Sequence, residues 1–316
     1  MQQLTIGKNQ AGQRLDKFLK KAFPNAGTGF LYKMLRKKNI TLNKKKADGS
    51  EILQAGDMIQ VFFSDETFSK MRGQEAVSSE YQKLLQVPHE LQVIYEDDLM
   101  LIVNKPSGML SQKASESDIS LNESILSYLI HEGLLSEETY AVFHPSVVNR
   151  LDRNTSGIVL AGKTLAGQQF LSDILRDRSA KKIYHCIVRG KVEEEMHLKG
   201  YLLKDERSNQ VQIFSAETQD AKPIETAYRP LVVGPDATLL EVHLITGRSH
   251  QIRAHLASIG HPIAGDPKYG DMVWNKKLRQ DFSVRSQLLH AYSITLPDGR
   301  TFIADEPEIF SQIMRG

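Results

Sequence analysis

Asp152 stands between two arginines in the run Asn149-Arg150-Leu151-Asp152-Arg153-Asn154-Thr155-Ser156-Gly157, which leads directly into the apolar, strand-like Ile158-Val159-Leu160-Ala161. A carboxylate flanked by permanent cations is favoured in its ionised form, which suits it to nucleophilic attack or charge stabilisation rather than to proton donation. An Arg-x-Asp run is also a common exposed ion pair of little energetic weight. The chemical reading therefore depends on what other segments bring to Asp152.

Four segments qualify. Asn104-Lys105-Pro106-Ser107-Gly108 closes an apolar strand and reads as a plain rigid turn. Lys181-Lys182-Ile183-Tyr184 opens a strand with a phenol that can face a site or a core. Leu244 to His255 passes from a strand through a turn at Gly247 into a helix carrying Arg253. His261 to Gly270 holds two prolines and two glycines in ten residues, the mark of a well-defined loop.

Other chemistries fit less well. His250 and His255 are five residues apart, so on a helix they diverge by roughly 140° and do not form the same-face pair of a zinc helix. No metal site is expected. Neither a dinucleotide-binding nor a P-loop glycine pattern occurs, so no nucleotide cofactor is indicated. Ser156 lacks the Gly-x-Ser-x-Gly elbow and any local base, and reads as a structural hydroxyl at the strand entry.

The elements that must position these residues lie in a chain of 316 residues with ordinary apolar and charged fractions. Its single cysteine, Cys186, excludes an intramolecular disulfide framework and reads as a buried small hydrophobe. No apolar run approaches the ~20 residues of a membrane span, and no signal-peptide pattern opens the sequence. A cytoplasmic protein without membrane association is expected, with a monomer as the default state.

Charge is unevenly distributed. Residues 12–46 hold eleven Lys or Arg and one acid, Asp16, a local +10 in a chain whose total is +2. Such a segment is the electrostatic footprint of a polyanion binder. It reads as a small basic domain over residues 1–64. Leu15, Phe18, Leu19 and Ala22 fall at helical spacing, and a second amphipathic stretch follows Thr28-Gly29. Short strands are expected at Ile40 to Leu42 and Met58 to Phe63.

Residues 65–88 turn polar and lose periodicity, which predicts a mobile linker. The second domain, over 89–316, opens with two strands joined by the acidic turn Glu96-Asp97-Asp98. Further strands are expected over 158–161, 183–188, 211–214, 226–233, 238–244 and 292–296. Helices are expected over 121–131, 165–176 and 250–259. Strands outnumber helices and come in hairpin-like runs, so the fold class is α+β with a mixed, mainly antiparallel sheet.

The basic segment resembles the small RNA-binding domain named after ribosomal protein S-four. The resemblance makes Arg14, Lys17, Lys33, Arg36, Lys37, Lys38, Lys44 and Lys45 its candidate RNA contacts. Arg14-Leu15-Asp16 echoes Arg150-Leu151-Asp152 but lacks the Thr-Ser-Gly sequel and reads as structural.

Residues 91–305 resemble the RluA family of pseudouridine synthases, through the Asp152 run and the motifs over Tyr95 to Gly108, Lys182 to Gly190, Leu244 to His255 and Gly260 to Gly270. Asn149 and Ser249 stand where family members commonly have His and Thr. The resemblance implies isomerisation of uridine to pseudouridine in RNA without a cofactor. It assigns Asp152 as nucleophile or as the base that forms a glycal, with Arg253 pairing to it. It makes Tyr184 a stacking partner of the uracil that helps remove the C5 proton, and Arg150 the filler of the space left by the flipped nucleotide. Arg153 is expected at backbone phosphate or solvent, and Leu151, Ile183 and Leu289 as apolar pocket walls. The target is ribosomal RNA of the large subunit or transfer RNA, and the basic module favours the former.

Two other readings stay open on sequence. An N-glycosidase would release free uracil and needs a second acid or base, which the motif lacks. A non-catalytic RNA-binding or ribosome-assembly factor would bind RNA without turnover.

Overall fold

The computed structural model describes residues 1–7, 10–72, 74–205 and 207–315. Its first unit contains strands β1 (Gln2–Thr5), β2 (Ile40–Leu42), β3 (Lys45–Lys46) and β4 (Met58–Val61), with helices α1 (Leu15–Ala22) and α2 (Thr28–Arg36). The strands form an antiparallel sheet in the order β1-β4-β2-β3. Leu15, Phe18, Leu19 and Ala22 on α1, with Leu31, Met34 and Leu35 on α2, are buried in one small core. The 3.6-residue period gathers the apolar side chains on one side and leaves the lysines outside.

The expected mobile linker is instead two helices, α3 (Asp65–Arg72) and α4 (Gln74–Leu84). Phe68 is buried in the N-terminal core against Phe23. Leu84 is buried in the main core, and the Tyr81 hydroxyl donates to Leu135 O at 3.0 Å. Met71 packs beside Phe68, and Val77 and Tyr81 pack with Leu84, so each helix does carry an apolar stripe at helical spacing; it is short and set among polar residues, and tertiary contacts stabilise it.

The remaining strands are β5 (Val93–Glu96), β6 (Met100–Lys105), β7 (Ser146–Val147), β8 (Ser156–Gly162), β9 (Lys181–Arg189), β10 (Met196–Asp205), β11 (Gln210–Phe214), β12 (Lys222–Val233), β13 (Ala237–Leu244), β14 (Leu289–Thr295) and β15 (Thr301–Ile303). They form one sheet in the order β11-β10-β12-β13-β9-β14-β8-β6-β5, with β15 on β14 and β7 on β8. Only the β14–β8 pair is parallel among these described pairings. This is the α+β, mainly antiparallel arrangement expected. Helices α5 (Leu121–His131) and α7 (Leu165–Arg176) match their expected bounds. Helices α6 (Glu137–Tyr140), α9 (Met272–Phe282) and α10 (Ile309–Arg315) and strands β7, β10 and β15 lie outside the segments expected from sequence.

The central strands fix the faces on which candidate residues lie. On β9, Tyr184, Cys186 and Val188 point into the main core, whereas Ile187 joins a smaller core with Leu278 of α9 and Phe310 of α10. At the start of β8, Gly157 has φ +109°, and a Cβ there would lie 2.3 Å from Ala291 O of β14. Only glycine allows this backbone approach. Gly157→Ala should therefore cost about 1–3 kcal/mol through forced displacement of β14, measured as a lowered urea midpoint. An unchanged midpoint would show that the strand pair gives way freely.

Candidate active site

Asp152 sits in the turn that feeds β8, where its carbonyl accepts the Thr155 N–H at 3.0 Å. Helix α8 (Gln251–Ser258), following β13, places Arg253 across from it. Arg253 Nη1 donates to Asp152 Oδ2 at 2.7 Å. The Asp152 side chain retains 30% exposure, whereas that of Arg253 retains 5%. The carboxylate thus opens to solvent while its cation is buried behind it.

A second carboxylate, unforeseen in the sequence, holds Arg253 from the other side. Asp266 is fully buried and accepts from Arg253 Nε at 2.7 Å and Nη2 at 2.9 Å. Its Oδ1 also accepts the N–H groups of Lys268 and Tyr269. Burial opposes the charge on Arg253, yet Asp266 and then Asp152 outweigh it and raise its pKa above the ordinary arginine value. Burial likewise works against the Asp266 anion, but Arg253 and the two backbone donors leave its pKa below the ordinary aspartate value. The result is a planar guanidinium oriented by one buried acid and presented to another that faces outward. The ten-residue loop with two prolines and two glycines carries this acid; its composition announced a fixed shape, not a carboxylate partner.

Lys105 also does more than end a strand. It is fully buried, and its ammonium donates to the carbonyls of Pro106, Met109 and Arg153 at 2.8–3.0 Å. Burial pushes its pKa down to about 8 and Asp152 opposes the shift, so it stays charged at neutral pH. Ser111 Oγ accepts Leu151 N–H and donates to Leu151 O, both at 3.0 Å. Ser107 Oγ donates to Asn154 O at 2.8 Å. The segment that reads as a plain turn therefore clamps the backbone after Asp152, and Ser111, just beyond it, clamps the backbone before it.

Asn149 has a defined task as well. Its amide donates to Ile158 O at 3.1 Å and accepts from Leu160 N at 2.7 Å, pinning the start of the motif to β8. Ser156 Oγ lies 2.8 Å from His290 Nδ1, so the sequence reading missed a histidine neighbour. His290 is fully buried, with Nε2 3.0 Å from Ala304 O. Both groups are enclosed, which keeps the hydroxyl structural.

Tyr184 is 9% exposed and shares the face of β9 that carries the main core. Burial, with Asp152 adding to it, raises its pKa above the ordinary tyrosine value. The phenol is thus protonated, and a base at this position must pass on its own proton as it accepts another. Leu289 pairs with Cys186, on the same face, and both Leu289 and Leu151 belong to the core around Tyr184. Ile183 does not. It precedes Tyr184 on the strand, so its side chain leaves the sheet on the opposite face. The expectation that Ile183 walls the same pocket is corrected on this ground.

Arg150 and Arg153 are exposed and form no ion pair with any described residue. The charge that Asp152 meets comes from Arg253, 101 residues away in sequence. In the N-terminal module all eight candidate RNA contacts are exposed. Arg14 is partly occupied, since its guanidinium donates to Asp16 at 3.1 Å and 3.2 Å. Cys186 is fully buried, as expected, and burial raises its thiol pKa. No cluster of metal-ligating side chains occurs among the described residues, and no described helix is long and apolar enough to cross a membrane.

A large, mainly antiparallel sheet that presents an arginine-paired aspartate beside a buried tyrosine defines a class, and the matches to known proteins agree. The family model described as RNA pseudouridylate synthase matches residues 99–258. The chain belongs to this family and is of the RluA type; it is an RNA pseudouridine synthase, an intramolecular isomerase. It is 33% identical over 302 residues to the ribosomal large subunit pseudouridine synthase C of Haemophilus ducreyi, covering 95% of this chain and 89% of that one. With the protein of the same description from Escherichia coli it shares 33% identity over 298 residues, 92% of this chain and 87% of that one. Among solved structures, human RNA pseudouridylate synthase domain containing 4 superposes with a TM-score of 0.57 at 18% identity, covering 76% of this chain and 96% of that one. That likeness carries the fold.

Proposed function

We propose that this protein isomerises uridine to pseudouridine in ribosomal RNA of the large subunit, with Asp152 as the essential carboxylate. The observation that carries the assignment is the 2.7 Å bond from buried Arg253 to the partly exposed Asp152. The relatives described as acting on the ribosomal large subunit, matched over nearly their whole length, support the target.

The reaction breaks N1–C1′, turns the uracil and joins C5 to C1′, with loss of the C5 proton and gain of one at N1. It consumes no oxidant and no water. An anionic carboxylate near the sugar is suited to attack C1′ or to form the glycal. Arg253 aims it through their hydrogen bond, while Tyr184, Leu151 and Leu289 supply an apolar wall against hydrolysis of an activated sugar. Exposed Arg150 is placed to enter the space vacated by the flipped nucleotide, offsetting an extrusion cost of a few kcal/mol. Arg153 is left for a phosphate.

Mapping pseudouridines in total RNA from cells with and without the gene tests the target. Loss of sites in large-subunit ribosomal RNA is expected; loss confined to transfer RNA would overturn that choice.

The module's lysines carry a separate prediction. Replacing Lys37, Lys38, Lys44 and Lys45 by alanine should weaken RNA binding. It should also flatten the dependence of log affinity on log salt by about 0.7–0.9 for each phosphate no longer neutralised. The rate at saturating RNA should stay near that of the parent. An unchanged salt slope would exclude these lysines from the RNA interface.

A further inference from the structure

We infer that His250 reads the ribose 2′-hydroxyl of the target nucleotide and so contributes to the choice of RNA over DNA. The inference rests on Asp152 meeting C1′ on the side opposite the uracil. His250 caps α8 with φ 54° and ψ 14°, a left-handed conformation that residues bearing a Cβ seldom adopt. Such conformations persist where the surroundings impose them, and they concentrate at functional sites.

The imposed contact also sets which ring nitrogen carries the proton. His250 Nδ1 lies 2.9 Å from the Tyr269 hydroxyl, and that oxygen already accepts the Val211 N–H at 2.9 Å. With one acceptor position of the phenol so used, we assign its proton to Nδ1, an arrangement in which Nε2 carries the ring proton. Burial first, with Arg253 and Lys268 behind it, holds the His250 pKa below the ordinary histidine value against the pull of Asp152 and Asp266. The ring is a neutral N–H donor at physiological pH.

Nε2 lies 3.9 Å from Asp152 Oδ2. That is too long for a hydrogen bond and short enough for one oxygen to reach both groups. Stereochemistry identifies the oxygen. A carboxylate that displaces uracil at C1′ approaches the ribose face opposite the base, which in a ribonucleoside is the face bearing the 2′-hydroxyl. That hydroxyl can donate to Asp152 while accepting from His250. A deoxynucleotide leaves both without this partner, and the 2′-hydroxyl is the group by which a protein separates RNA from DNA.

The test uses an RNA fragment containing a uridine that the parent protein converts, prepared with either uridine or 2′-deoxyuridine at that position alone. Single-turnover conversion and RNA affinity are measured for the parent, His250→Phe and His250→Gln. Phenylalanine keeps the ring without the N–H, and glutamine places an amide nitrogen near the position of Nε2. The 2′-deoxy change is expected to slow the parent at least about 10-fold more than it slows His250→Phe, the scale of a single hydrogen bond. His250→Gln should recover part of that difference, with affinity within about 2-fold throughout. Equal slowing of the parent and His250→Phe overturns the inference. His250→Asn, whose shorter amide suits the left-handed backbone but does not reach the position of Nε2, supplies the same comparison if His250→Phe does not fold, and undiminished discrimination there is likewise contrary. Failure of the underlying assignment is separately visible, since Asp152→Asn would then convert the all-ribose fragment.

Discussion

Asp152→Asn is expected to lower pseudouridine formation by about 10⁴-fold or more while RNA affinity stays within about 2-fold of the parent. Asparagine keeps the shape of the side chain and can still accept from Arg253. It has no negative charge with which to attack C1′ or take up a proton. The substitution should spare the fold, because Arg253 keeps its buried partner Asp266 and the Asp152 side chain is 30% exposed. Single-turnover assays, RNA binding and urea unfolding on the same preparation separate these effects. Conversion at the parental rate would refute the assignment. Release of free uracil by the unaltered protein would mark an N-glycosidase in place of an isomerase.

Asp266→Asn should impair both stability and rate. The neutral amide leaves the buried Arg253 without its bidentate acceptor, and an uncompensated buried charge costs about 3–5 kcal/mol. Arg253 then turns toward Asp152 as its only anion, and the angle at which it holds that carboxylate is no longer fixed. Misplacement of about 1 Å in such a site costs about 100-fold in rate. A fall in kcat is expected with the KM for RNA nearly unchanged, because Asp266 is fully buried and cannot meet the substrate. Arg253→Lys should reproduce the rate defect, since one ammonium cannot span two carboxylates in a planar fork. An Asp266→Asn protein with parental unfolding midpoint and rate would show that the pair is dispensable.

Much of the fold was legible. Helices α5 and α7 match their expected bounds because their apolar spacing is regular over three turns. The β5–β6 hairpin followed from two apolar runs around an acidic turn. The helices over 65–84 were overlooked because their stripes, Phe68 with Met71 and Val77 with Tyr81 and Leu84, are short and set among polar residues, and gain value only against Phe23 and the main core. Strand β10 was hidden by Gly200 and by the polar His197 and Lys199, although Leu198 and Leu202 alternate inward.

For the site, the motifs singled out Asp152 as the candidate centre of chemistry with Arg253 and Tyr184 as its candidate partners, and residue counts marked 12–46 as a basic segment. These are local properties: charge, spacing and motif survive without knowledge of the fold. Only the tertiary structure decided how the charges are supported. The arginines flanking Asp152 point to solvent, and the cation that meets it arrives from α8. Behind that cation stands Asp266, contributed by a loop whose sequence carries no sign of the pairing. Lys105 became a clamp on the Asp152 turn once β6 and β8 were neighbours, and strand alternation removed Ile183 from the pocket. Each is a contact between segments far apart in the chain, set by sheet order and the burial of charge.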